Sequence, residues 1–138
     1  MDMVEAPSEY PASSPRRLLV CDDEQKICSV LTQYFALKGY EVRAVNRGDE
    51  ALALVDAFQP SVVLLDLLMP GMTGVETLKD LKQHHPRIKV IMLSAADHQD
   101  VAEGAIELGA DSYMCKPANL AQLEHLVNGV WPAENPHQ

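Results

Sequence analysis

Four consecutive apolar residues, Val62-Val63-Leu64-Leu65, run straight into Asp66, and Met69-Pro70-Gly71 then breaks the chain. A short, uniformly apolar run opened by Pro60 and Ser61 reads as a strand covered on both faces, the environment found inside a parallel sheet. An ionised carboxylate is costly to bury without a partner. Asp66 therefore belongs where the strand emerges, near water, a cation or a hydrogen-bond donor. The breaker puts it at the carboxyl end of the strand, which is the ligand-binding end of open α/β sheets. For a lone Asp, a solvated turn cap would be the simpler account. What weighs against that account is the set of residues at the other strand ends.

The rest of the chain alternates in the same manner. Arg16-Arg17 opens the strand Leu18-Leu19-Val20-Cys21, which ends on Asp22-Asp23-Glu24. Lys89 to Leu93 is a strand ending on Ser94, and Asp111 to Cys115 is one ending on Lys116-Pro117. Glu41 to Val45 alternates and is shorter and less apolar, which suits a sheet edge. Between the strands lie helical stripes. Ile27, Val30, Leu31, Tyr34 and Phe35 form one, stopped by Gly39. Asn46 and Asp49 are candidate caps for a helix running through Phe58, with Leu52, Val55 and Phe58 facing inward. Val75, Leu78 and Leu81 mark a third helix, and a fourth ends near Leu108-Gly109. Asn119 caps the last, whose inner face is Leu120, Leu123, Leu126, Val127 and Val130.

Five strands alternating with five helices predict an α/β, doubly wound parallel sheet with right-handed crossovers. In the order 2-1-3-4-5 the topological switch point falls between the strands ending on Asp22-Asp23 and on Asp66. Ser94 and Lys116 lie on the same edge.

Composition narrows the function classes. The chain has 138 residues, 47% hydrophobic, enough for one domain with a single substantial core. Residues 1–15, rich in Pro and Ser, read as a disordered leader, 16–131 as the domain and 132–138 as a frayed tail. A formal net charge of -9 argues against a basic nucleic-acid surface, and no direct nucleic-acid binding is expected. With neither a membrane-length apolar stretch nor a signal-peptide core, the expected location is the cytoplasm, away from membranes. The three cysteines have no zinc-like spacing and read as reduced core thiols. His84-His85 sits at a helix end, where solvation or dipole pairing is the ordinary role.

Three carboxylates gathered at one sheet edge repel. At ~5 Å and an effective dielectric of about 20, each like pair costs on the order of 3 kcal/mol. A hard divalent cation held by carboxylates, a backbone carbonyl and waters would compensate, and Mg²⁺ fits that description. Lys116 adds a point charge able to bind a phosphoryl oxygen, and the Ser94 hydroxyl can donate to another. Such a set suits phosphoryl transfer with Asp66 as nucleophile. Each residue alone has an ordinary structural explanation; four strand ends together are hard to assign to chance.

The motifs Asp22-Asp23-Glu24, Asp66-Leu67-Leu68-Met69-Pro70-Gly71-Met72-Thr73-Gly74, Ser94-Ala95, and Gly109-Ala110-Asp111-Ser112-Tyr113 running into Lys116-Pro117 carry a specific resemblance. From about Leu18 to Val130 the chain resembles a response-regulator receiver domain of two-component signalling, a flavodoxin-like fold. The resemblance implies that Asp66 is the phosphoacceptor for a histidine kinase or a histidine phosphotransfer protein. It implies Mg²⁺ ligated by Asp23, Asp66 and the Leu68 backbone carbonyl, with Asp22 acting through water. Ser94 and Lys116 would contact the acyl phosphate. Tyr113 would turn inward as Ser94 moves, although a half-buried strand Tyr explains it equally well. A downstream protein would be met by the fourth helix, fifth strand and fifth helix. The Lys116-Pro117 bond is expected to be cis, as is typical of the family.

Two departures from the family pattern stand out. Leu68, two past Asp66, and Ala96, two past Ser94, are apolar where relatives often carry water-guiding polar groups. Slow self-dephosphorylation follows from that. Cys21 replaces the usual aliphatic residue before the acidic pair. Among rival functions, a flavodoxin-like electron carrier is disfavoured because Asp22-Asp23-Glu24 would repel a flavin phosphate. An Asp-nucleophile phosphohydrolase would need an acid at position 68. A constitutive docking module has no use for the complete acidic, Ser and Lys set. The reading is thus a single-domain, phosphoryl-accepting switch rather than an enzyme acting on other substrates. The alternatives are an excised receiver of a longer response regulator or hybrid kinase, or a constitutive docking module.

Overall fold

The computed structural model describes residues 15–69, 71–95, 99–116 and 119–132. Each apolar run forms a strand: β1 (Arg16–Cys21), β2 (Tyr40–Val45), β3 (Val62–Asp66), β4 (Lys89–Ser94) and β5 (Ser112–Cys115). The stripes between them form α1 (Gln25–Leu37), α2 (Gly48–Phe58), α3 (Gly74–His84), α4 (Gln99–Glu107) and α5 (Leu120–Val130). All pairings are parallel, in the order β2-β1-β3-β4-β5. The doubly wound sheet and its switch point are therefore as expected. In this register Cys21 lies opposite Leu65, Asp66 opposite Leu93, and Ser94 opposite Cys115. The residues that follow β1, β3, β4 and β5 consequently arrive at one edge.

Strand side chains alternate between faces, so the uninterrupted apolar runs fill two separate cores. Leu19, Val63, Leu65, Val90 and Met92 pack with Val55 of α2, Leu78 and Leu81 of α3 and Ala105 of α4. Leu18, Val20, Leu64, Ile91 and Leu93 pack on the other face with Leu31 and Phe35 of α1 and with Leu123 and Val127 of α5. Each fully buried Leu or Ile contributes roughly 1.5–3 kcal/mol relative to leaving it exposed. These two cores hold the strand ends in register.

Two local expectations need correction. In α1 the buried line is Cys28, Leu31 and Phe35, while Val30 is 49% exposed. Ile27 and Tyr34 pack against the core as expected, so the stripe differs at one place: the small, soft thiol of Cys28 turns inward and Val30 faces out. In α2 neither Asn46 nor Asp49 is the cap. Arg47 holds the N-cap position without any side-chain capping bond, and Asp49 pairs with Arg47 at 3.1 Å. Asn119 does cap α5, accepting a hydrogen bond from the Gln122 N–H at 3.0 Å.

The start of α3 fixes the loop after Asp66. The Glu76 N–H donates to Thr73 Oγ1 at 3.1 Å and the Thr73 N–H to Glu76 Oε1 at 2.9 Å, a reciprocal cap. Gly74 comes next and donates its N–H to the Leu67 carbonyl at 2.9 Å. A Cβ at Gly74 would lie 2.2 Å from the Asp66 carbonyl oxygen, so only glycine lets α3 back onto the end of β3. At the opposite end of the sheet, Trp131 follows α5, with its ring 5.4 Å from that of Tyr40 and 5.0 Å from the Arg16 guanidinium. Lys82 of α3 bonds Asp111 at 2.9 Å, tying α3 to the entry of β5.

Candidate functional site

The expected residues meet. Asp22, Asp23 and Asp66 each offer a carboxylate oxygen, all within 4.8 Å of one another, and no other group of three or more potential metal ligands occurs among the described residues. Asp22 is fully buried and Asp66 is 5% exposed, whereas Asp23 opens to solvent. Lys116 Nζ reaches in from the end of β5, 2.8 Å from Asp22 Oδ2 and 3.2 Å from Asp66 Oδ1. Glu24, which the sequence did not single out for this purpose, adds a third contact at 3.5 Å. His84 is exposed and only bonds Asp80.

One ammonium among three clustered carboxylates leaves an excess of negative charge. Burial, and then the neighbouring Asp22, raise Asp66 to a pKa of about 7 in the metal-free protein. Burial works against the Lys116 ammonium, but Asp22 and Asp66 outweigh it and raise that pKa above its ordinary value. Asp22 Oδ1 accepts the Glu24 N–H at 2.9 Å, while Oδ2 faces Lys116 without an aligned hydrogen bond.

Ser94 ends β4 with its hydroxyl completely buried and, among the described residues, without a hydrogen-bond partner. A buried polar group usually has a partner, so the Ser94 hydroxyl marks a place where an additional acceptor oxygen can be bound. The all-oxygen donor set suits a hard divalent cation such as Mg²⁺. Asp23, Glu24, Asp66, Leu67, Leu68, Ala95 and Lys116 line a cavity of about 280 Å³ at this edge. Leu68 is 50% exposed at its rim, so its side chain stands at the mouth. Tyr113 is half-buried on β5, packed against the core under α3 and α4. Ala96 and the Lys116-Pro117 bond lie outside the described residues.

Four strands of a doubly wound α/β sheet thus bring an acidic cluster, an ammonium and an unsatisfied hydroxyl to one edge. The model of the response regulator receiver domain matches residues 18–128, and the chain belongs to that family. It is 38% identical over 111 residues to the regulatory protein AtoC of Escherichia coli, covering 80% of this chain and 24% of that protein. To sporulation initiation phosphotransferase F of Bacillus subtilis it is 32% identical, covering 86% of this chain and 96% of the relative. It therefore spans about a quarter of the first relative and nearly all of the second. Among solved structures, the receiver domain of NtrX from Brucella abortus superposes with a TM-score of 0.81 at 28% identity, over 85% of this chain and 99% of that one. Two relatives are named as transcriptional regulatory proteins, and the expectation of no nucleic-acid binding, drawn from acidic charge, finds no support in them. No helix among the described residues is long and apolar enough to cross a membrane.

Proposed function

We propose that this receiver is a phosphorylation-controlled switch in which Asp66 takes a phosphoryl group from the phosphohistidine of a histidine kinase or phosphotransfer protein. The observation that carries the reading is the Asp66 carboxylate, 3.2 Å from Lys116 and beside an orphaned Ser94 hydroxyl, at the ligand-binding edge of the sheet. An Asp66 oxygen attacks the phosphorus, the P–N bond to the donor imidazole breaks, and the electron pair leaves on that nitrogen, which then takes a proton. Lys116 and Ser94 bind phosphoryl oxygens, offsetting the charge that builds there. Asp23, Asp66 and the Leu68 carbonyl would hold Mg²⁺, with Asp22 acting through water. The ion, when bound, supplies positive charge to the phosphoryl oxygens and opposes the two causes that hold the Asp66 pKa high.

The donor approaches over an apolar cavity of about 230 Å³ lined by Ile27, Val30, Leu31, Leu93, Leu120 and the Lys116 stem. The exposure of Val30 on that face supports this approach. The signal leaves through α4, β5 and α5, where Val101, Ile106 and Leu108 expose apolar side chains and Tyr113 borders the Ser94 strand. Leu68 at the cavity mouth cannot orient an attacking water, so the acyl phosphate is long-lived. The test is acetyl phosphate with Mg²⁺ read by intact mass. Wild type gains one phosphoryl group and Asp66→Ala gains none; equal labelling of the two would overturn the assignment.

A further inference from the structure

Asn46 looks in sequence like a helix cap, yet it caps nothing. Its side-chain amide leaves α2 and donates to the carbonyl of Asp22 at 3.0 Å and to Gln25 Oε1 at 3.3 Å. The same carbonyl accepts the Cys28 thiol at 3.2 Å. The Asn46 backbone N–H is held in turn by Glu50 Oε1 at 3.1 Å. Two donors from separate elements, one on the loop after β2 and one on α1, thus converge on one carbonyl.

That carbonyl belongs to the peptide joining Asp22 to Asp23. Its orientation sets where both carboxylates point, and β1 has ended at Cys21. Past that point sheet pairing is reduced to the Asp22 N–H, which donates to Val45 at 3.1 Å. The excess negative charge of the cluster pushes the two acids apart, and a peptide free to rotate would relieve the repulsion by turning Asp23 outward.

We propose that Asn46 is a positioning residue, whose side-chain amide clamps the Asp22 carbonyl and thereby holds the Asp22–Asp23 pair in the geometry that receives the divalent cation. The inference rests on the metal role proposed above. Groups that orient first ligands commonly change metal affinity by 10–100-fold when removed.

The experiment titrates the intact, metal-free chain with MgCl₂ by calorimetry and follows amide hydrogen exchange without metal. Asn46→Ala should weaken Mg²⁺ binding about tenfold. It should also speed exchange of the Glu24 N–H, which Asp22 Oδ1 holds, while the α3 and α5 amides keep wild-type rates. Gln25→Ala, which removes only the outer contact of the amide, should bind Mg²⁺ as wild type does. Cys28→Ala removes the other donor to the same carbonyl and should weaken binding in the same direction, which keeps the test decisive should Asn46→Ala fold poorly. Wild-type Mg²⁺ affinity in a folded Asn46→Ala, or in Cys28→Ala should Asn46→Ala not fold, overturns the clamp alone. Absence of Mg²⁺ binding by wild type overturns the metal role, and the clamp with it.

Discussion

Replacing Asp66 by Asn should make the metal-free protein more stable, and by an amount that depends on pH. The Asp22 and Asp23 oxygens lie within 4.8 Å of Asp66, and at an effective dielectric of about 20 each such pair repels by about 3.5 kcal/mol. Lys116 at 3.2 Å returns about 5 kcal/mol of attraction at the same dielectric. The balance disfavours the third carboxylate by about 2 kcal/mol, and its burial acts in the same direction. Burial, and then Asp22, hold Asp66 at about 7 against an ordinary 3.8. Between those values the folded protein keeps a proton that the unfolded chain has released, so wild-type stability falls as pH rises through that window. Asp66→Asn lacks this slope. Urea unfolding in EDTA should therefore give Asp66→Asn an advantage at pH 8 of about 2 kcal/mol from the charges alone, rising to about 4 kcal/mol once the burial that lifts the pKa to about 7 is included, and shrinking toward zero near pH 4. Added Mg²⁺ at ten times its dissociation constant should restore about 1.4 kcal/mol to wild type and little to the variant. Parallel pH profiles for the two proteins, or an Asn variant less stable at pH 8, would refute the charge argument.

Three further outcomes follow from neighbouring features. Ser94→Ala removes a buried hydroxyl that has no partner among the described residues, so urea unfolding should show stability unchanged or raised by up to ~1 kcal/mol. Phosphorylation should persist in that variant while the chemical-shift response of β5 and α4 weakens; a full response would break the proposed coupling route. Gly74→Ala drives a methyl into the Asp66 carbonyl and should lose roughly 1–3 kcal/mol in the same assay, with slower acetyl phosphate labelling. Normal stability there would mean that α3 shifts freely. Leu68→Asn combined with Ala96→Glu should shorten the life of the phosphorylated form after donor removal, because each new side chain can hold an attacking water. Unchanged decay would show that water access does not limit the rate.

The fold was legible because its three central strands, β1, β3 and β4, are short and carry continuous runs buried on both faces. A run such as Val62 to Leu65 has no amphipathic alternative, and the breaker after each run points the terminal residue to one edge. That geometry was enough to bring Asp22, Asp23, Asp66, Ser94 and Lys116 together. The misreadings came where local chemistry admits two uses. Asn46 has the composition of a cap, but its amide is used on a carbonyl 24 positions away, and nothing in the flanking sequence records that partner. The α1 stripe contained one apolar residue too many. Only packing decides that Cys28 turns inward and Val30 remains at the rim of a cavity. The Lys82–Asp111 tie between α3 and β5 spans 29 positions, and its two charges look like ordinary surface residues when read singly.

Trp131 is the sole tryptophan in the chain, and its position governs what light can report about this molecule. Its ring packs beside Arg16 and Tyr40, at the start of β1 and β2. The acidic cluster lies at the far end of the same strands, roughly 17 Å away for a strand of this length. Intrinsic emission excited at the indole is therefore an indicator of whether the last helix is seated on the first strand. It will follow denaturation faithfully while staying nearly silent to events at Asp66. An optical readout of the switch needs a second fluorophore placed beside Leu68 or Ala95, with Trp131 retained as the internal gauge of folding.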